Sequence, residues 1–269
     1  MERLHVLGTG YALATRCYNT CFALENGEGE LLLVDAGGGN GILRQMEDAK
    51  LSFARVHHFF ITHAHPDHLG GAVWVLRKIM TMMRAGRFEG ELHIYCHETV
   101  RRGLVAMAEL MLQKKFVCLI GERVHFHDIE DGTMASMCGW DVTAMDIRST
   151  KLLQYGFVLT LANGQRLTCL GDEPCCGPCA ERVRGTDWLL CEAFCLKAQA
   201  DVFKPYEKHH STVADAAQLA SELGVRHLVL WHTEDKCIDR RKALYTAEAR
   251  EHYAGDLFVP DDLETIALG

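Results

Sequence analysis

Basic residues are scarce in this chain: 28 Lys and Arg face 36 Asp and Glu over 269 residues, a net charge of −8. Binding a phosphate backbone over any length needs clustered Lys and Arg, so extended nucleic acid is a disfavoured partner on composition. No uninterrupted apolar run approaches the length of about 20 residues that spans a bilayer. Met1-Glu2-Arg3 runs straight into Leu4-His5-Val6-Leu7 with no signal-peptide core between. Both absences point to a soluble, cytoplasmic protein without a membrane partner. Five prolines, no repeat and no linker-like stretch argue for one domain over residues 1–269. Cysteine, by contrast, is plentiful, with twelve residues that suit a reducing compartment as thiols. Cys175, Cys176 and Cys179 are spaced closely enough for a structural zinc, but the fourth ligand would have to come from elsewhere. They read first as small, half-buried turn residues, as do Cys17/Cys21 and Cys191/Cys195.

Short apolar runs bounded by turn residues predict strands at 4–7, 21–24 and 31–34, the first two paired as a hairpin. Residues 59–61 form another, which empties into Thr62-His63-Ala64-His65-Pro66-Asp67-His68. After Gly70-Gly71, Val73, Leu76, Met80 and Met83 recur at helical spacing. A strand at 92–96, a helix at 98–112 and strands at 142–147, 157–161 and 167–170 follow. Ser211 or Thr212 caps a helix that ends before Gly224, and a buried strand at 225–231 delivers His232. A helix at 239–253 and one strand within 257–268 close the chain. Strands and helices thus divide over two halves, the pattern of an α/β protein with stacked sheets flanked by helices.

His63 and His65 are two apart and can point the same way in an extended loop, and Asp67 and His68 follow a turn stiffened by Pro66. Four donors within six residues can seat two adjacent metal ions. Imidazole with carboxylate suits zinc, or manganese or iron, better than calcium, which takes oxygen alone.

The run His-x-His-x-Asp-His after a short strand resembles the hallmark of the metallo-β-lactamase superfamily, and Asp35, ending Leu32-Leu33-Val34-Asp35, resembles its first motif. Within the superfamily the ribonuclease Z group is the most similar. Leu7-Gly8-Thr9-Gly10 with Arg16 and Asn19, Leu190-Cys191-Glu192-Ala193, His210-Ser211-Thr212, Leu230-Trp231-His232 and Pro260-Asp261-Asp262-Leu263 each resemble one of its boxes. The resemblance implies the metallo-β-lactamase fold, a four-layer αββα sandwich. It implies that His63 and His65 hold one zinc ion, that Asp67, His68 and His232 hold another, and that Asp172 bridges them around a shared hydroxide. Asp67, Glu192 and His210 form the implied catalytic set, the last two as a proton relay, although His210 could instead cap its helix or bind water. Asp35 supports the ligand loop from behind. Asp262 is either a similar support or a turn-former.

Two departures bear on function. Where the group supplies a further histidine ligand before a Gly-aromatic pair, this chain reads Asp146-Ile147-Arg148-Ser149-Thr150 ahead of Gly156-Phe157. A guanidinium stays protonated and cannot ligate. Arg148 there would hold a substrate anion and leave one metal position weak, so one or two ions are expected, unless Asp146 stands in as ligand. Further, only 23 residues separate Arg148 from Asp172, too few for the protruding tRNA-binding arm of the group. The leading expectation is therefore a metal-dependent phosphodiesterase acting on a small phosphodiester substrate. Alternatives are a tRNA 3′-processing endoribonuclease, a lactonase or thioesterase of the same fold, and a non-catalytic metal-dependent ligand-binding protein. The resemblance also allows a homodimer, though no sequence feature marks an interface.

Overall fold

The computed structural model describes residues 1–175 and 177–269. Among these, fourteen strands form two seven-stranded sheets. The first contains β1 (Glu2–Gly8), β2 (Cys21–Glu25), β3 (Leu31–Val34), β4 (His58–Phe60), β5 (Leu92–Cys96), β6 (Val124–Asp128) and β14 (Thr265–Leu268), ordered β14-β1-β2-β3-β4-β5-β6. The second contains β7 (Met134–Met137), β8 (Trp140–Asp146), β9 (Tyr155–Thr160), β10 (Arg166–Cys169), β11 (Trp188–Glu192), β12 (His227–Trp231) and β13 (Asp256–Phe258), ordered β13-β12-β11-β10-β9-β8-β7. The predicted β1–β2 hairpin pairing is present, antiparallel. Each sheet joins an antiparallel part to a parallel one, β3 to β6 in the first and β10 to β13 in the second.

Period-two alternation sorts the side chains into three apolar layers. In β4, Phe59 faces the helices while Phe60 faces the opposing sheet. Phe60 meets Phe157 of β9 edge-on at 5.1 Å, and Phe22 of β2 stacks on Trp231 of β12 at 4.8 Å, so aromatic pairs tie the two sheets beneath the strand ends. Outside the first sheet, the helix Ala72–Arg84 buries Val73, Leu76, Met80 and Met83, the stripe read from the sequence. Outside the second, the helix Val213–Glu222 buries four of its alanines; its cap is Thr212, closed in a capping box with Asp215. The layers run helix, sheet, sheet, helix, the expected four-layer sandwich.

The last predicted strand divides in two. Pro260 cannot donate to a ladder and Leu263 adopts φ 70°, so the chain turns between β13 and β14 and pairs each with a different sheet. Strands β6 and β7 escaped the sequence reading because histidines and an aspartate interrupt β6, while β7 is only four residues long and largely exposed.

Candidate metal centre and active site

The parallel strands deliver the polar residues. Asp35 follows β3, the loop His63–His65 follows β4, Asp172 follows β10, Glu192 ends β11 and His232 follows β12. Asp67 and His68 lie in the short helix Pro66–Leu69. All of these except His65 are buried. Asp35 and His232 sit at φ 54° and 57°, a region that non-glycine residues enter at a cost and only when neighbours fix them. Those neighbours are present. The Asp35 carboxylate accepts from Thr62 N at 2.8 Å, Thr62 Oγ1 at 2.7 Å and His68 Nδ1 at 2.7 Å, and His232 Nδ1 lies 3.1 Å from Thr20 Oγ1.

These bonds aim the remaining nitrogens inward. Donor atoms of His63, His65 and Asp172 lie within 4.8 Å of one another, as do those of Asp67, His68 and His232, and of Asp172, His210 and His232. Asp172 Oδ2 is 3.7 Å from His63 Nε2, 3.8 Å from His65 Nδ1 and 3.7 Å from His232 Nε2; Asp67 Oδ2 is 3.5 Å from His68 Nε2. Such gaps are too long for hydrogen bonds, but they approach the spacing of about 3.4 Å between two ligands around one tetrahedral ion. Asp172 Oδ1 and His68 Nε2 are buried with no hydrogen-bond partner. Buried donors left unsatisfied at the centre of a carboxylate–imidazole shell fit a cation.

The electrostatics agree. Burial, with the charge of His68, holds His63 well below the ordinary histidine range, and burial does the same to His232. Both are thus neutral imidazoles ready to ligate. His68 departs the other way: burial opposes its charge, but Asp67 and Asp35 outweigh burial and push it up to about 9. Asp172, which burial alone would raise, is held well below the carboxylate range by His63, His65 and His232.

His210 borders the same cavity of about 500 Å³, which Tyr11, Leu13, Lys151 and Lys208 also line. Its Nδ1 donates to the backbone carbonyl of Asp172 at 2.9 Å, and Glu192 Oε2 stands 3.7 Å away, beyond hydrogen-bond reach. Burial and the charge of Lys151 lower His210 to about 4. Glu192 is fully buried, which raises it well above the carboxylate range, and its Oε1 accepts from Ser211 N at 2.6 Å. Asp262 stands apart from the donor groups: it accepts from Thr9 Oγ1 at 2.7 Å and Tyr18 N at 2.6 Å, fastening the turn after β1.

Arg148 is not at a ligand position. Its backbone turns left-handed at φ 61°, and its guanidinium lies 3.2 Å from Asp146 and 4.0 Å from Asp131, more than half exposed. Asp146 is occupied by that contact and by Arg148 N at 2.8 Å, and joins none of the donor groups. The residue that reaches the centre is Lys151, whose Nζ is 3.7 Å from Asp172 Oδ2. Lysine is not a ligand type, so the sequence marks it only by its place five residues ahead of Gly156. Cys176 lies outside the described residues, Cys175 and Cys179 are buried, and no donor group among the described residues includes a cysteine.

The family model for the beta-lactamase superfamily domain matches residues 31–233. A ribonuclease Z of Bacteroides fragilis (strain YCH46) is 27% identical over 297 residues, covering 91% of this chain and 93% of the relative. Since 297 exceeds the 269 residues here, that relative carries segments this chain lacks. Among solved structures, the metallo-beta-lactamase fold protein YhfI of Bacillus subtilis superposes with TM-score 0.79 at 15% identity, over 98% of both chains. Human tRNase Z, short form, superposes with TM-score 0.76 at 21% identity, over 99% of both. The likeness to a ribonuclease along nine-tenths of both chains overturns the expectation that extended nucleic acid is disfavoured. Net charge averages the whole surface, whereas the field at the cavity is set locally, here with Lys151 and Lys208 on its wall. Among the described residues no helix is long and apolar enough to cross a membrane. The chain belongs to the beta-lactamase superfamily domain family and is a metal-dependent hydrolase similar to the ribonucleases Z.

Proposed function

We propose that this protein is a phosphodiesterase, with zinc as its cation and manganese or iron as substitutes, acting on a small phosphodiester that enters the cavity of about 500 Å³. The observation that carries the reading is the pair of adjoining donor groups, His63–His65–Asp172 and Asp67–His68–His232, with two buried donor atoms left unsatisfied. His63, His65 and Asp172 would hold one ion, and Asp67, His68 and His232, sharing Asp172, the other. A divalent ion held there would lower the pKa of a water toward about 7 and would withdraw charge from a phosphoryl oxygen.

The chain's own residues do the rest. Asp35 fixes the tautomer of His68 by accepting from its Nδ1, which leaves Nε2 as the ligating atom. Because a carbonyl only accepts, His210 keeps its proton on Nδ1 and presents Nε2 to the cavity. A phosphodiester anion bound opposite favours the charged imidazole, which then protonates the leaving oxygen. Glu192 is a positioning residue, holding Ser211 and through it the backbone of His210. Lys208 at the cavity wall attracts the substrate's charge.

A second reading, cleavage of precursor tRNA, is favoured by the relative named ribonuclease Z that aligns along nine-tenths of both chains. Bis-p-nitrophenyl phosphate, cyclic nucleotides and precursor tRNA, each offered with zinc, manganese or iron to native protein and to Asp172→Ala, separate the two. Turnover of the small esters that is lost in the variant supports the first reading. Cleavage of tRNA alone supports the second, and equal turnover by native protein and variant overturns both.

A further inference from the structure

The two halves of the donor cluster are unequal in charge, and Lys151 makes them so. Its side chain is 18% exposed and enters the cluster from the loop before β9. That loop is fixed: Ser149 Oγ donates to Glu173 at 2.5 Å and accepts from Lys151 N at 3.3 Å and Leu152 N at 3.4 Å, while Thr150 Oγ1 lies 2.5 Å from His209 Nδ1. The ammonium therefore stands 3.7 Å from Asp172 Oδ2, within 0.1 Å of the distances from that same oxygen to His63, His65 and His232. Glu173 Oε1 flanks it at 3.6 Å.

Resting on the proposed metal centre, we infer that Lys151 is a built-in cation of the His63–His65–Asp172 half. The protein at rest then holds one divalent ion tightly, in the Asp67–His68–His232 half, and a second only weakly. In the weak half two imidazoles and the Asp172 carboxylate would face the ion, and the ammonium already stands against that carboxylate. The tight half has the Asp67 carboxylate as ligand and the Asp35 carboxylate behind His68, and the ion-pair contacts of Lys151 are to Asp172 and Glu173 instead. Like charges a few ångströms apart at a buried site repel by more than the factor of ten that separates tight from weak binding. During turnover the ammonium is free to contact a phosphoryl oxygen, which makes Lys151 a substrate-charge partner as well.

Elemental analysis after dialysis against a mild chelator tests this with zinc alone, and cobalt(II) titration followed by visible absorption counts the sites independently. Native protein should retain about one ion per chain. Lys151→Gln and Lys151→Met should retain about two, with the second site tightened at least about tenfold, whereas Lys151→Arg, which keeps the charge, should stay near one. Circular dichroism of each variant checks that it is folded. Two tightly held ions in native protein, or one ion in native protein and in both neutral variants, would overturn the role of Lys151 and leave the metal centre standing. No retained ion in any of the four proteins would overturn the centre and this inference together.

Discussion

Two groups of histidines pack ring against ring in this molecule, yet among the described residues only one forms donor groups for a cation. In the buried group at the strand ends, ring centres of His63, His65, His68 and His232 are 4.2 to 5.4 Å apart between neighbours. Across β4, β5 and β6, His58, His93, His125 and His127 form a second row with neighbours 5.2 to 5.6 Å apart, and His93 Nδ1 is 3.0 Å from His127 Nε2. The difference lies in the carboxylates. Asp35, Asp67 and Asp172 are buried among the first group, whereas the second has Glu91, half exposed and 3.3 Å from His125. Hence His68 is pushed up to about 9, while burial with its neighbours His93 and His57 lowers His58 to about 4. Proximity of imidazoles does not make a cation site; buried negative charge and hydrogen bonds that fix each ring's direction do.

Removing the shared carboxylate should have the largest effect. Asp172→Ala should lose the retained metal and lower turnover of bis-p-nitrophenyl phosphate by about 10³-fold or more, since several kcal/mol of charge stabilisation go with it. Retention of metal by this variant would make the two histidine groups equivalent after all. His210→Ala should slow esters with poor leaving groups by roughly 10²–10⁴-fold and barely touch nitrophenyl esters. Equal losses would assign His210 to binding. Asp35→Asn, which weakens the hold on His68 without removing a ligand, should cost about 10–100-fold in zinc affinity by competition titration. An unchanged affinity would show that the carboxylate behind the ring does not distinguish this group.

The smallest effect belongs to the second row. The unfolded chain binds a proton at His58 at its ordinary pKa, whereas the folded protein resists it down to about 4. Stability from this group is therefore full above about pH 6.5 and declines as pH falls toward 4. His58→Phe should flatten part of that decline when urea midpoints at pH 7.5 and pH 5 are compared, with zinc content unchanged. A steeper decline would reverse the sign of the account.

Much of the site was legible because its chemistry is local in sequence. His63, His65, Asp67 and His68 fall within six residues and His232 follows an apolar strand, so a pattern of short runs marks them, whereas Asp172 came only from the resemblance to the ribonuclease Z group. Lys151 was illegible because lysine is not a ligand type, and only the path of the loop between β8 and β9 shows which of Arg148, Thr150 and Lys151 turns inward. Arg148 looked the better candidate until its left-handed backbone carried it to Asp146. The split of the last strand between two sheets depends on pairing partners more than 200 residues away for β14, which local periodicity cannot register. Net charge misled for a related reason, since a sum over the chain carries no information about where lysines lie relative to one cavity.

The carboxylate-bearing group, and not the row on β4 to β6, is the proposed metal centre of a phosphodiesterase. Its most direct test is turnover of bis-p-nitrophenyl phosphate by protein stripped with a strong chelator, then titrated with zinc, in native protein, Asp172→Ala and His93→Gln/His125→Gln. Turnover should vanish after stripping, recover with about one to two equivalents of zinc in native protein and in the His93/His125 variant, and stay absent in Asp172→Ala. Full turnover by the stripped native protein, or recovery that fails only in the His93/His125 variant, would contradict it.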